Sequence, residues 1–362
     1  MARRTALAIT SLLLACGDAD RSVGVFGTGD AGAEGATPGE SSQGSAVAEG
    51  TGTGTDAGSD DADGTADDGP VLDVGAGVDT IGGCAEGGGD CGCTAVDILF
   101  VIDNSGSMCL KQEALAAAFP GFTEAIGAAL PPGTDLHVGI TTSGFALGGS
   151  HSENNCVPAE PVETIDEYFV RPGEGVVAGN GLQGRLFEHD GRAYFEVDTS
   201  DAAGMAELDT WFSAAATAVG CGVSSFEFNA AGAAWALHPD NAATNAGFVR
   251  DEGAALVLFV LSDEADQSLD VESLEFLHDT VVAAKSGCGG DACVVGGGLF
   301  SQFCTPDLNA AYTFLASFGA DPTWSDIGLG LPFEPPPDYA GVLGDALAQV
   351  VAQTCDAIPP AG

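Results

Sequence analysis

The stretch "DILFVIDNSGSM", Asp97 to Met108, joins an apolar run to a cluster of small polar residues. The run is short and scarcely alternates, which is typical of a strand buried on both faces of a parallel sheet. It ends at Asp103, and the residues that follow, Asn104 to Ser107, are ordinary turn formers. The cluster alone is therefore compatible with a plain turn. However, Asp103 with the hydroxyls of Ser105 and Ser107 also presents hard oxygen ligands that suit a small divalent cation.

Similar apolar runs recur along the chain and predict more buried strands. They are "LHVGIT" at 136–141, "ALVLFVLS" at 255–262 and "CVVGGGLF" at 293–300. Helical patterns lie between them, at Gln112–Leu130 with an interruption at Pro120-Gly121, Ala202–Val219, Glu227–Leu237, Leu269–Lys285, Leu308–Phe318 and Tyr339–Gln353. Strands that alternate with helices imply right-handed crossovers, so we predict an α/β fold with a doubly wound, mostly parallel sheet.

One segment, residues 144–200, breaks this alternation, and we expect it to be an insertion on the domain surface. Within it, "RLFEHDGRAYFEV" predicts a hairpin about the Asp190-Gly191 turn. A loop pinned by Cys156 is the simplest interpretation, although such loops often shape binding specificity. "GNGLQG" at 179–184 matches a dinucleotide-binding string, but no strand precedes it, so we assign it no function.

The chain begins with features of an export signal over residues 1–15. Arg3 and Arg4 precede the apolar stretch Ala6–Leu14, which is too short to span a bilayer. "LLAC" then resembles the lipobox of bacterial lipoprotein signal peptides, which implies that Cys16 becomes the lipidated first residue of the mature protein. An ordinary secretory signal that happens to contain a cysteine is the alternative.

Residues 16–93 differ sharply in composition, being acidic, rich in Gly, Ala, Asp and Thr, and almost without aromatic or branched side chains. Such a segment cannot bury enough apolar surface to offset the entropy of ordering it. We therefore expect a flexible tether, extended by its own negative charge. This leaves residues 94–356 as the folded domain and 357–362 as a tail.

The charge balance excludes one class of partner. With 53 acidic against 9 basic residues, the formal net charge is -44. Nucleic acid is excluded because phosphate binding needs clustered lysine and arginine. The acids spread along the whole chain, so we interpret their excess as a solubility feature rather than as one site.

The 11 cysteines predict disulfide bonds in an exported chain. "CAEGGGDCGC" at 84–93 lacks the second cysteine pair or the histidine that a metal knuckle needs. The sequence leaves the pairing open. Because Cys109 directly follows Met108, a bond at this cysteine would pin the start of the next helix.

The pattern D-x-S-x-S formed by Asp103, Ser105 and Ser107 after a hydrophobic strand resembles the signature of von Willebrand factor type A domains. The resemblance covers roughly Ala95 to Cys355. It implies a metal-ion-dependent adhesion site that holds Mg²⁺, with Mn²⁺ or Ca²⁺ as alternatives. In that family, a threonine from a second loop and an aspartate after a later central strand complete the site.

The resemblance extends to the later strand, where Asp263 stands at the position of the family's aspartate and is implied to reach the metal through water. Glu264 and Asp266 follow it as supporting or alternative ligands, similar to the acid-rich loop of bacterial members. The threonine is absent. Its loop contains Ser224 and Ser225 instead, and Ser225 fits better by its distance from the following helix.

Binding rather than catalysis is the function that we expect. The 5 histidines form no metal-binding spacing, and no serine lies in a G-x-S-x-G elbow. The lipobox resemblance implies a lipid-anchored protein of the bacterial cell envelope, at the outer membrane or cell surface. The type A domain resemblance implies that its cation binds a carboxylate of a protein partner. The alternatives are an envelope scaffold lipoprotein with a structural metal and a hydrolase using metal-bound water, for which no general base is evident.

Overall fold

The computed structural model describes residues 94–145, 179–222, 227–301, 309–328 and 338–350. These residues include six strands, β1 (Ala95–Ile102), β2 (Asp135–Thr142), β3 (Tyr194–Asp198), β4 (Ala254–Ser262), β5 (Val294–Phe300) and β6 (Thr323–Asp326). Their α-helices are α1 (Cys109–Ala129), α2 (Ala202–Ala218), α3 (Asn229–Leu237), α4 (Ser268–Val271), α5 (Leu274–Ala284), α6 (Ala310–Ala316) and α7 (Tyr339–Gln349). The expectations about the signal peptide, Cys16, the tether and the tail concern residues outside these ranges.

The strands form one sheet in the order β3-β2-β1-β4-β5-β6. β3 pairs antiparallel with β2, and the other neighbours are parallel. The predicted doubly wound, mostly parallel α/β sheet is therefore confirmed. Since β2 lies on one side of β1 and β4 on the other, the strand order reverses between β1 and β4. Sheets of this kind bind their ligands beside the carboxyl ends of the strands at such a reversal.

Helices cover both faces of the sheet, which explains why β1 does not alternate. Ile98, Phe100 and Ile102 belong to the core cluster shared with α1, α2 and α7. Leu99 and Val101 belong to the opposite cluster, shared with α3, α5 and α6. Both sets of side chains are thus removed from water, as the continuous apolar run predicted. In the described part of the chain, no helix is both long enough and apolar enough to cross a membrane.

Asp97 places a buried charge near the start of this central strand. Its two oxygens accept hydrogen bonds of 2.8 Å from the backbone N and the side-chain Nε of Arg250. Burial raises the pKa of Asp97, and the positive charge of Arg250 opposes that rise. Lys285 Nζ, also buried, lies 3.9 Å from the same carboxylate. These cations balance the buried charge at the end of β1 opposite to the polar cluster.

Helix α1 is continuous, so the expected interruption at Pro120-Gly121 is wrong. Pro120 has no N–H to donate to the carbonyl of Ala116 one turn earlier. Ser213 Oγ of α2 donates to that carbonyl instead, at 3.0 Å. The neighbouring helix thus satisfies the group that proline leaves unpaired, and this contact is not visible in the sequence of α1 alone.

The predicted helix Leu269–Lys285 is divided into α4 and α5. The division falls at Ser273, whose hydroxyl accepts a hydrogen bond from Phe276 N at 3.1 Å. This is an N-cap, and it starts a new helix where the apolar pattern suggested a continuous one.

The segment at residues 144–200 differs in part from the expected surface insertion. Its hairpin turn is present: Asp190 and Gly191 have φ values of 52° and 75°. The flanking His189 and Arg192 exchange backbone hydrogen bonds of 2.9 and 3.0 Å. However, the arm that follows the turn is β3, an edge strand of the main sheet. Residues 146–178, including Cys156, lie outside the described ranges.

The contact between α1 and α2 gives a testable prediction. Ser213→Ala should lower the free energy of unfolding by about 1 kcal/mol, because the carbonyl of Ala116 loses its donor. In a Pro120→Ala background, the restored N–H can bond to that carbonyl, so the same serine change should cost much less. Urea unfolding of the four proteins measures the difference. Equal costs in both backgrounds would contradict this role for Ser213.

Candidate metal centre

The strand order brings the two predicted aspartates to one edge of the sheet. Asp103 directly follows β1 and Asp263 directly follows β4, and these strands are parallel neighbours in register. Asp103 N donates to Leu261 O at 2.9 Å, which extends the pairing by one residue. Both aspartates are buried, with exposed fractions of 0% and 7%. They therefore lie together at the reversal of strand order.

Asp103 is held by hydrogen bonds from several elements. Its Oδ1 accepts from Ser105 N at 2.8 Å, and its Oδ2 accepts from Ser262 Oγ at 2.8 Å. Burial raises the pKa of Asp103 to about 6, while these hydrogen bonds oppose the rise. Ser143 Oγ donates a longer bond of 3.4 Å to Oδ1. Sequence reasoning missed Ser143 and Ser262, although their positions at the ends of β2 and β4 could have indicated them.

A chain of side-chain hydrogen bonds connects the polar cluster to the later acids. The Oγ atoms of Ser105 and Ser107 lie 2.9 Å apart. Ser107 Oγ lies 2.9 Å from Asp263 Oδ1 and 3.4 Å from Glu264 Oε1. The structure thus brings Asp103, Ser105, Ser107 and Asp263 into one network, with Glu264 at its margin.

Lys111, near the start of α1, places a positive charge inside this network. Its Nζ lies 2.5 Å from Asp263 Oδ2, and both side chains are buried. Sequence reasoning missed Lys111 because nothing in the motif indicated which way α1 would face. Asp263 is therefore already partnered at both oxygens, by Lys111 and by Ser107.

Asp266 supports the site rather than facing it. Its Oδ2 accepts from Ala230 N at 2.8 Å, and its Oδ1 accepts from Ser268 N at 2.7 Å. Burial raises the pKa of Asp266 to about 6, and the hydrogen bonds from Ser268 and Ala230 oppose the rise. Asp266 thereby holds the start of α3 against the acidic loop after β4.

The second loop presents a residue that sequence reasoning did not select. Ser224 and Ser225 lie outside the described residues. Glu227, which was expected to begin a helix, lies before α3 and is only 1% exposed. In the described structure, neither of its carboxylate oxygens has a hydrogen-bond partner. Burial and then the charge of Asp103 raise the pKa of Glu227 to about 9. The available signal was an acid isolated in the apolar stretch "FEFNAAG".

A disulfide joins the two loops. Cys109 is bonded to Cys221, with their Cα atoms 5.2 Å apart. Gln112 Nε2 bridges the same loops by donating to Asp103 O at 3.1 Å and Gly220 O at 2.9 Å. The prediction of disulfides is confirmed, and Cys109 does pin the start of α1. A second bond joins Cys288 and Cys293. The remaining cysteines lie outside the described residues.

The donor set fits a divalent cation. It consists of carboxylates and hydroxyls, which are hard oxygen ligands suited to Mg²⁺, Mn²⁺ or Ca²⁺ and unsuited to copper. The network contains one cation of its own, Lys111, against several carboxylates. The unpartnered oxygens of Glu227 are groups that a bound cation would satisfy.

A separate group of potential ligands lies at the opposite end of the sheet. Ligand atoms of Asp135, His137 and Glu196 lie within 4.8 Å of one another. His137 Nδ1 lies 2.7 Å from Phe248 O and must donate to it, because a carbonyl only accepts. However, Asp135 already pairs with Arg250 at 2.7 Å. A cleft of about 890 Å³ borders this group and not Asp103. We assign no metal site to it.

No protein-family model and no curated protein sequence matches this chain. Among solved structures, it is similar to a von Willebrand factor type A structure from Catenulispora acidiphila, with 13% identity, a TM-score of 0.34 and coverage of 72% of this chain and 43% of that one. It is also similar to the pilus adhesin SpaC from Lactobacillus rhamnosus GG in its open conformation, with 14% identity, a TM-score of 0.33 and coverage of 71% and 29%. The chain thus spans less than half of either structure, and its fold is assigned here from strand order and pairing.

The two disulfides should differ in their contribution to stability. Cys109→Ala with Cys221→Ala should lower the free energy of unfolding by about 5 kcal/mol, because that bond closes a loop with a sequence separation of 112. Cys288→Ala with Cys293→Ala is the matched control and should cost about 2 kcal/mol, since its separation is 5. Urea unfolding without reductant measures both. A larger cost for the short loop would contradict the prediction.

The raised pKa of Glu227 predicts a pH dependence in the presence of a chelator. Because burial raises the pKa of Glu227 to about 9 in the folded protein, against an ordinary value of 4.5, the free energy of unfolding should fall as the pH rises between these values. We expect a loss of about 2 to 4 kcal/mol between pH 5 and pH 8. Glu227→Gln should remove most of this loss in urea unfolding, whereas Glu275→Gln, at an exposed position in the first turn of α5, should retain it. Identical pH profiles for the two variants would contradict the prediction.

Proposed function

We propose that this chain is an exported, lipid-anchored protein that binds a protein partner through a divalent cation held by Asp103, Ser105, Ser107 and Asp263. The network that joins these four side chains at the reversal of strand order carries the proposal, with Ser107 Oγ 2.9 Å from Asp263 Oδ1. Mg²⁺, Mn²⁺ and Ca²⁺ are the candidate cations, since all accept carboxylate and hydroxyl ligands.

The residues of the chain prepare the site for a charged ligand. Ser262 and the backbone of Ser105 orient Asp103, and the Cys109–Cys221 bond fixes the loop beside it. When bound, the cation would supply an open coordination position for a carboxylate of the partner. In a partly desolvated site, this attraction is stronger than in water. Because this chain is strongly acidic, the partner must present that carboxylate within a neutral or basic surface.

An apolar side chain lies beside the site and supports protein binding. Leu110 is 68% exposed, and among the described residues it is the large hydrophobic side chain left open to water. It stands between Cys109 and Lys111 in the first turn of α1. A partner that reaches the cation would also cover Leu110, which adds apolar contact to the charged one.

Two observations support the export of the chain. The two disulfides in the described residues require an oxidising compartment. The N-terminal "LLAC" resembles a lipobox, so we propose that lipidated Cys16 anchors the protein to a membrane of the bacterial envelope. We propose binding rather than catalysis, because no serine lies in a G-x-S-x-G elbow and the histidines form no metal-binding spacing.

A scaffold role is the second candidate function, and Lys111 is the observation in its favour. Its ammonium already neutralises Asp263 and stands in the network as a cation supplied by the chain itself. In this alternative, the charges at the sheet edge stabilise the domain, any bound metal is structural, and no partner is attached to it.

The proposal predicts that cation binding and partner capture depend on the same residues. Mg²⁺, Mn²⁺ or Ca²⁺ should raise the melting temperature of the full, oxidised chain, because a ligand that binds only the folded state stabilises it. Asp103→Ala should abolish that rise. Immobilised wild-type chain should capture a partner from envelope extract in the presence of the metal and release it with chelator.

The variant Leu110→Ser tests partner binding separately from metal binding. This variant should keep the metal-linked rise in melting temperature and lose most of the captured partner. Capture that persists equally with chelator would support the scaffold and contradict the proposed function. Absence of any metal-linked shift in the wild type would defeat the metal site itself.

A further inference from the structure

Glu227 is the buried acid of this site that has no partner. It is 1% exposed, and within the described part of the chain both of its carboxylate oxygens lack hydrogen bonds. Its backbone is fixed, because Gln267 N donates to Glu227 O at 2.7 Å. A buried carboxyl group without hydrogen bonds costs free energy, and folded proteins keep few of them. The position therefore points to a group that binds there.

The surroundings of Glu227 are other acids. The carboxylates whose charges act on it are those of Asp103, Glu264, Asp263 and Asp266, in decreasing order. The strongest repulsion comes from Asp103, the first residue of the proposed metal motif. The backbone agrees with this proximity, because Phe228 N donates to Ser143 O at 3.3 Å and Ser143 Oγ donates to Asp103 Oδ1 at 3.4 Å. Glu227 therefore lies close to the loop that carries Asp103.

Donors on neighbouring elements that could pair with Glu227 already have other partners. The first N–H groups of α3, which would suit a preceding carboxylate, donate to Asp266 and to Ser268 Oγ at 2.8 and 3.0 Å. Lys111 donates to Asp263. Neither the helix end nor the lysine therefore supplies the positive charge that Glu227 needs.

Other buried polar atoms also lack partners, on the loop after β1 and at the start of α3. They are Asn104 Oδ1, next to Asp103, and both amide atoms of Asn229, two residues after Glu227. These two segments thus contain several buried polar atoms whose hydrogen bonds the described residues do not supply, which is uncommon in a folded protein.

We infer that Glu227 is a direct ligand of the divalent cation, in the place where the family resemblance leads one to expect a threonine. The inference rests on the proposed metal site. Lys111 already offsets the charge of Asp263, so a cation that displaced the Glu227 proton would gain a carboxylate ligand beside Asp103 that no positive group of the described chain occupies.

This ligand set also specifies which cation the site prefers. Mg²⁺ usually keeps several waters and takes one or two carboxylates, whereas Ca²⁺ takes six to eight oxygens and often a bidentate carboxylate. A site with two aspartates, two serines and a glutamate therefore favours Ca²⁺ over Mg²⁺. Replacing the glutamate with a hydroxyl should move the preference toward Mg²⁺.

Calorimetric titration of the full, oxidised, chelator-treated chain with CaCl₂ and MgCl₂ tests the inference. Glu227→Gln keeps the shape of the side chain and removes its charge, so it should weaken Ca²⁺ binding at least about tenfold, since ligand charge tunes affinity. Glu227→Thr should narrow the Ca²⁺ to Mg²⁺ affinity ratio. Glu275→Gln, which removes an exposed acid from the first turn of α5, should bind as the wild type does.

The outcomes separate this inference from the metal site on which it rests. If Glu227→Gln and Glu227→Thr bind Ca²⁺ like the wild type while Asp103→Ala does not, Glu227 is not a ligand and the site stands. If the wild type binds neither cation, the metal site and the inference both fail. Circular dichroism of each variant confirms that any loss of binding occurs in a folded protein.

Discussion

The parallel pairing of β1 with β4 is the constraint on which the site depends. Its register places Ile102 opposite Leu261, and the bond from Asp103 N to Leu261 O continues that pairing by one residue. A shift of the register by one residue would turn the side chains of a strand to the opposite face. Because both strands are covered by helices on both faces, such a shift would also disrupt two cores. The apolar packing of the sheet therefore fixes the distance between the acids that follow its strands.

Repulsion between these acids favours separation of their loops, whereas a disulfide and hydrogen bonds hold the loops together. The carboxylates at the sheet edge repel one another, and burial makes each of them harder to ionise, as the raised pKa values of Asp103 and Glu227 show. The Cys109–Cys221 bond and Gln112 hold the loops together against that repulsion. Lys111 offsets only part of the charge. Under the proposed function, a bound cation would offset this cost and so couple the stability of the domain to its ligand.

The sequence predicted the elements better than their contacts. The apolar runs located the predicted strands to within about two residues, because a strand buried on both faces is apolar along its whole length. Pro120 was misjudged, since the donor that replaces its missing N–H is on another helix. The arm at Tyr194–Asp198 was expected on the surface and is an edge strand, because its partner β2 precedes it by many residues. Ser224 and Ser225 were selected as candidate ligands, and Glu227 was predicted to begin a helix, because the sequence does not show which side chains of this loop are buried.

The sequence by itself determined the class of the fold, the presence of disulfides, and the loop that begins at Asp103 with its counterpart at Asp263. These features follow from local sequence patterns, because each residue type has its own preference for burial or for turns. Only the tertiary structure decided which cysteines pair, that Lys111 faces Asp263, and that Glu227 is buried without a partner. Those facts depend on strand order and helix packing, which bring together side chains far apart in the chain. No local pattern encodes that proximity, so the burial of Glu227 without a hydrogen-bond partner became visible only in three dimensions.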